Sequence, residues 1–249
     1  MHAYSYIAHR GLFDNEKGVP ENSLLAYKCA IELGLPIELD VRTTADGKLL
    51  IFHDKSLKRM TGLDKKVFFT KYAEIKKLRL LDTDQRIPTL DQVLSLVDGR
   101  VPLLIEIKNS FIAGRVETRI FEKLCNYEGQ YIVESFNPLV LFWMKRHVPE
   151  VVRGQLIAKA GKTKNPIEKL IMLMKGFYLF TKPQFIACDV DRLTPRLSRS
   201  FKKRGMKVFC WTVKDFRDYL KTYRISDGVI FDTVSPFEIG YEKTKGNVL

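Results

Sequence analysis

Nine short apolar runs, most of them separated by stretches of helical character, constrain this 249-residue chain more than any other feature. They cover residues 4–8, 36–41, 49–53, 101–108, 131–136, 152–157, 185–190, 207–213 and 227–231, and each has strand length. Only residues 42–48 join the second run to the third. A parallel crossover needs about a dozen residues, and Asp46-Gly47 within the link is a hairpin turn signal. The third run is therefore expected to return antiparallel, which leaves eight strands for a parallel set. Helical patterns fill the gaps. Residues 22–33 open on the cap chemistry of Glu21-Asn22-Ser23 and stop at Gly34. Further patterns cover 89–97, 115–126, 138–146, 166–175, 195–204, 215–222 and 236–241, five of them beginning behind or on a proline at 88, 138, 166, 195 or 236. Eight β-then-α units without a linker, repeat or compositional break predict one α/β domain over residues 1–249, closed as a (β/α)8 barrel with a hairpin after the second strand. An open doubly wound sheet would carry a glycine-rich nucleotide loop after a strand, and none is present.

An apolar fraction of 45% is enough for a sizeable core. The four cysteines (Cys29, Cys125, Cys188, Cys210) form no CxxC pair, and three sit in apolar stretches, as expected of buried thiols in a reducing compartment. Residues 1–5 lack a basic segment followed by a long apolar one, so a cytoplasmic location is expected. No run of 18 apolar residues suggests a membrane span. A net charge of +13 attracts anions without saying which. Nine Lys or Arg fall between Lys145 and Lys182, and seven between Arg192 and Lys207. These read first as solvated helix faces. The sharper expectation is peripheral contact with anionic lipid, with Ile171, Met172, Met174, Phe177, Tyr178 and Phe180 at the interface. Nucleic acid is not expected, because no recognised binding module accompanies the charge.

In such a barrel the active site lies at the C-terminal ends of the strands. His9 and Arg10 end the first run, Glu38 and Asp40 the second, and Glu106 and Lys108 the next parallel one. Residues two apart on a strand face the same side, so Glu38 with Asp40, and Glu106 with Lys108, point together into the barrel mouth. Three carboxylates converging there need a cation between them, and hard oxygen donors without a thiolate suit Mg²⁺ or Ca²⁺. The hairpin returns His53 to the same rim. Arg10 and Lys108 can hold phosphate oxygens, and two imidazoles can share proton transfer near neutral pH. The set amounts to an apparatus for cutting a phosphate diester. Buried ion pairs of the acids with Arg42 or Lys108 are the plainer reading of the same residues.

The stretch His9-Arg10-Gly11, Pro20-Glu21-Asn22-Ser23, Glu38-Leu39-Asp40, Asp46-Gly47 and His53-Asp54 resembles the glycerophosphodiester phosphodiesterase family. Glu106-Ile107-Lys108, Ser135-Phe136, Trp211-Thr212-Val213 and Asp227-Gly228 follow in the matching order. The resemblance implies a metal-dependent TIM barrel that cleaves glycerophosphodiesters, such as deacylated phospholipids, to sn-glycerol 3-phosphate and an alcohol. It implies Glu38, Asp40 and Glu106 as metal ligands, His9 and His53 as the acid/base pair, Arg10 and Lys108 as phosphate contacts, and Trp211 as an aromatic against the glycerol carbons. The alternatives are a phospholipase-type enzyme acting on intact lipid and an idle barrel that binds phosphate or membrane. Asp54 is expected either to orient His53 or to cap the next turn. Asp46 is expected as a turn residue, Asn22 as a helix cap before a polar site residue, and His147 as a helix C-terminal cation.

Overall fold

A computed structural model describes residues 4–109, 112–158, 177–232, 235 and 238 of the chain. All nine apolar runs form strands: Tyr6–Ala8 (β1), Ile37–Thr43 (β2), Leu49–Ile51 (β3), Leu103–Ile107 (β4), Tyr131–Ser135 (β5), Arg153–Ile157 (β6), Phe185–Asp189 (β7), Lys207–Val213 (β8) and Gly228–Phe231 (β9). Their order is β1-β9-β8-β7-β6-β5-β4-β2-β3, and an added β1–β2 pairing closes the ring. Every pairing is parallel except β2 with β3, where Val41 faces Ile51 and Thr43 faces Leu49. The hairpin thus grips the far end of β2, beyond the Ala8–Ile37 register where β1 meets it. The result is the eight-stranded parallel barrel expected, with β3 leaning on its rim.

Alternation along each strand divides the side chains into two apolar clusters. Ile37, Leu39 and Val41 face outward with Leu103, Ile105 and Ile107, against Tyr27, Leu90, Val93, Leu141 and Met144 of the helices. Ile7, Leu104, Ile132, Leu156, Phe185, Phe209 and Ile230 face inward and fill the barrel. Two glycines make the inner packing fit. A Cβ on Gly154 would strike the Phe185 ring, and one on Gly228 would strike the Tyr4 carbonyl oxygen. The Phe185 and Phe209 rings, 5.0 Å apart, occupy the space these glycines leave.

The helices follow their caps. Leu24–Leu33 (α1) begins after Ser23, whose hydroxyl accepts from the Ala26 amide, and ends at Gly34 with a φ of 70°. Asn22, expected as part of this cap, is left for another task described below. Lys58–Thr61 (α2) and Tyr72–Ile75 (α3) are single turns in a stretch that the sequence pattern left unassigned. Leu90–Val97 (α4) carries a Thr89–Gln92 capping box. Arg115–Leu124 (α5), Pro138–His147 (α6), Phe177–Thr181, Pro195–Lys202 and Phe216–Thr222 complete the described helices. The expected helices at 166–175 and 236–241 fall outside the described residues, apart from the turn at Glu238. Residues 52–87 bury a small core of their own, with Phe52, Leu57, Met60, Val67, Ile75 and Leu80 in contact. No described helix is long and apolar enough to cross a membrane. Three of the four cysteines were expected to be buried; Cys188 and Cys210 are, Cys29 is half-buried, and Cys125 is exposed.

Gly228→Ala should destabilise the fold by about 1–3 kcal/mol, because the new methyl meets backbone that cannot step aside. A lowered urea midpoint at unchanged slope is the expected reading.

Candidate active site

The β2–β4–β5 register sets Asp40 beside Glu106 and Glu106 beside Glu134, so acids from three strands stand at one level. Glu38, Asp40 and Glu106 are 2%, 0% and 6% exposed, and each offers an oxygen within 4.8 Å of the others. Burial, then repulsion from Asp40, Glu106 and Glu134, pushes the Glu38 carboxyl well above the usual carboxylate range. Burial raises Glu106 too, against the pull of Lys108. Asp40 goes the other way. Burial would raise it, but Lys108, His53, Arg10 and His9 together hold it well below its ordinary value. Asp40 Oδ1 lies 3.0 Å from Lys108 Nζ yet accepts no hydrogen bond, and Glu134 Oε2 has none either. Crowded, under-satisfied, all-oxygen donors of this kind fit a hard divalent cation.

The cations come from either side. Lys108, one residue past β4, donates from Nζ to Glu106 Oε2 at 2.7 Å. The plainer ion-pair reading thus holds for Lys108, while Arg42 instead donates from Nε to the His53 carbonyl oxygen at 2.8 Å. Arg10 leaves β1 with a φ of 56°. That left-handed turn points its amide at Glu38 Oε2, 2.9 Å away. Its side chain donates from Nη1 to Glu21 Oε1 at 2.7 Å, and its buried Nε has no hydrogen-bond partner. Gly11 follows with a φ of 83°, where a Cβ would press on Tyr27 Cδ1 at 2.8 Å.

Each histidine is held by a carboxylate of its own. His9 Nδ1 lies 2.6 Å from Asp232 Oδ1, which leaves Nε2 facing Glu38 Oε2 at 3.9 Å. His53, two residues past β3, places Nδ1 2.8 Å from Asp54 Oδ1. Burial and the Lys108 charge bring its pKa down to about 4, so at neutral pH this imidazole carries no proton charge and can accept one. Trp211 donates from Nε1 to the Ala187 carbonyl at 2.9 Å and meets Phe136 edge-on, with ring centres 5.6 Å apart.

The family model for the glycerophosphoryl diester phosphodiesterase family matches residues 9–235. The chain belongs to that family. A glycerophosphodiester phosphodiesterase of Caldanaerobacter subterraneus subsp. tengcongensis is 33% identical over 241 residues, covering 91% of this chain and 93% of that protein. Among solved structures, a glycerophosphodiester phosphodiesterase of Thermotoga maritima is 30% identical with a TM-score of 0.71, covering 94% of this chain and 96% of that one. An Oleispira antarctica phosphodiesterase solved with the product sn-glycerol-3-phosphate has a TM-score of 0.77 at 24% identity, with 92% of each chain covered.

Of the eight expected site residues of this glycerophosphoryl diester phosphodiesterase family member, Glu38 and Asp40 lie within β2, at the level where the end of β1 meets it, Glu106 and Trp211 lie within β4 and β8, and His9, Arg10, His53 and Lys108 follow strand ends. Trp211 enters through β8, across the ring from β4. Four supporting residues were not singled out from the sequence for what they do. Asn22, at a φ of 56°, donates to Asp40 Oδ2 at 2.8 Å and accepts from the Tyr27 hydroxyl at 2.7 Å, so it steadies an acid rather than a helix. Asp232 holds His9, and Glu134 extends the row of acids. Its place inside the apolar run Tyr131-Ile132-Val133-Glu134-Ser135 was the available signal. The fourth is Arg59 of α2, which donates from Nε to Asp54 Oδ2 at 2.6 Å and from Nη2 to Glu21 Oε1 at 2.7 Å. Arg59 therefore ties the carboxylate behind His53 to the one behind Arg10. Asp46 is a turn residue, as expected, accepting from Thr44 Oγ1 at 2.6 Å and from the Tyr72 amide. His147 stacks on Trp143 at the end of α6. Tyr178 turns inward against Phe201, whereas Leu179 and Phe180 are exposed; residues 171–176 lie outside those described, as does the Phe177 side chain.

Arg59→Ala should lower kcat by about 10–100-fold, the scale on which partners that orient a site imidazole act. Lysine at that position restores charge but not the fork, and should recover activity only in part. The same variant tests Glu21. Burial raises that carboxyl, but Arg59 and Arg10 bring it down to about 2 from an ordinary 4.5. A lowered value stabilises the fold above the ordinary pKa and is lost as pH falls through about 2. Without Arg59, acid unfolding followed by circular dichroism should begin at higher pH.

Proposed function

We infer that the chain hydrolyses glycerophosphodiesters, the diesters left when phospholipids lose their acyl chains, to sn-glycerol 3-phosphate and an alcohol. What carries the reading is the meeting of three buried carboxylates, two carboxylate-backed imidazoles and two cations at one rim. Glu38, Asp40 and Glu106 would hold a divalent cation, Mg²⁺ or Ca²⁺. A bound ion of this kind neutralises phosphate charge and sharpens the electrophile. Arg10 and Lys108 bind the non-bridging phosphate oxygens, the first through its planar fork and the second as a point charge. His9 and His53 divide the two proton transfers, one from the nucleophile and one to the leaving alkoxide. Asp232 and Asp54 hold their Nδ1 atoms, which fixes the tautomer and leaves Nε2 for the substrate. Trp211, anchored through its indole nitrogen, offers the rest of its ring to the glycerol carbons.

An idle phosphate-binding barrel has no use for two imidazoles each backed by a carboxylate, and a lipid-cleaving enzyme needs a large acyl surface at the rim. Of the partners, a small-molecule glycerophosphodiester is primary. The finer reading of place is a cytoplasmic enzyme whose basic flank rests on anionic membrane, with Leu179 and Phe180, 76% and 61% exposed, beside it.

A coupled assay for released glycerol 3-phosphate tests the activity. His9→Ala and His53→Ala should each lower kcat by about 10²–10⁴-fold while the fold persists by circular dichroism. Glu106→Gln should weaken calorimetric Mg²⁺ or Ca²⁺ binding, and a chelator should abolish turnover until metal is restored. Full activity in all three variants would overturn the reading.

A further inference from the structure

A cavity of about 330 Å³ opens beside the acid cluster, between the barrel rim and the stretch that follows β3. Lys108, which touches both Glu106 and Asp40, forms part of its wall, so the cavity continues outward from the phosphate position. Arg42, Lys55 and Lys66 stand around it with Lys108, and no acid lines it among the described residues. The rest of its wall is largely apolar, from Val67, Phe68 and Phe69, the last being 73% exposed. Neither Lys55 nor Lys66 forms a salt bridge with another described residue, so their charge is available to a ligand.

Position decides which arm of the substrate this cavity receives. β8, with Trp211, stands four places from β4 in the closed ring, on the opposite wall. With the phosphorus between them, a glycerol packed on Trp211 sends the other ester arm toward Lys108 and the cavity. We propose that this cavity is the leaving-group subsite, and that its ring of cations selects diesters whose leaving alcohol is anionic over those whose alcohol carries an ammonium. The inference rests on the hydrolytic reading above and adds the substrate class to it. An ammonium head group such as choline would meet Lys55, Lys66 and Arg42, with Lys108 already paired to Glu106 and Asp40, whereas a second phosphate would find Lys55 and Lys66 within a cleft of low polarity. The apolar wall accommodates the carbons joining the two charges. Discrimination here works as much by repelling the wrong alcohol as by attracting the right one.

The test compares two diesters on the metal-loaded protein: glycerophosphocholine, and bis(glycerophospho)glycerol, whose leaving alcohol bears a second phosphate. Native protein should favour the second in kcat/KM, chiefly through KM, and the preference should shrink as salt rises. The double variant Lys55→Glu/Lys66→Glu, altered only at exposed lysines outside the acid cluster, should lose about tenfold or more on the anionic diester and gain on glycerophosphocholine, whose ammonium it no longer repels. Equal losses on both diesters, or an unchanged ratio, would overturn the subsite. Native protein that cleaves neither diester would instead sink the hydrolytic reading. The subsite then stands or falls on calorimetric binding of glycerol 1,3-bisphosphate, which the double variant must weaken.

Discussion

Three carboxylates within 4.8 Å of one another, almost wholly out of water, are the constraint around which this molecule is organised. Like charges that close cannot all be ionised in a poorly screened interior unless something positive stands with them. The chain answers partly with its own side chains. Lys108 bridges Glu106 and Asp40, and Arg10 reaches both Glu38 and Asp40. It does not answer fully: Glu38 and Glu106 are still driven toward protonation, and oxygen atoms on Asp40 and Glu134 remain without hydrogen bonds. The same imbalance that makes the centre costly in isolation suits it to a divalent ion. Electrostatic frustration and catalytic fitness are here one property.

The barrel turns that constraint into geometry. Strand alternation sends apolar residues outward to the helices and, at the lower levels, inward to the barrel core, while Glu38, Asp40, Glu106 and Glu134 take inward positions above it. The register of β2, β4 and β5 then brings those acids level without any special loop. The histidines are supplied differently. Each sits just past a strand end and is steadied by a carboxylate, Asp232 in one case and Asp54 in the other. Arg59 joins the second of these supports to Glu21 and through it to Arg10. The lobe of residues 52–87 is therefore more than a decoration on the barrel. It braces one imidazole and walls the cavity beside the acid cluster.

Legibility in the sequence followed chemistry and period. Nine strands could be read because runs such as Lys207–Val213 are apolar, short and bounded by turn residues. Seven of the eight candidate site residues stood out because ionisable groups at the ends of such runs are costly unless used, whereas Trp211 came from the family resemblance alone. The lobe between β3 and α4 was not readable. Its helices are single turns, too short for a helical period to show, and its small core is assembled from residues as far apart as Phe52 and Ile87. Asn22 was misjudged for a related reason. A cap and a site residue look alike in sequence, and only the neighbouring Ser23, which takes over the cap, releases Asn22 to hold Asp40. Arg59 gave no signal because an arginine on a short polar turn is ordinary until the fold sets it between two acids.

The aromatic floor formed by Phe185 and Phe209 over Gly154 and Gly228 shuts the cylinder from below. Among the described residues the core offers no passage, so the acids are approached from the opposite, open rim. Whatever binds against the acids must leave by the side from which it came.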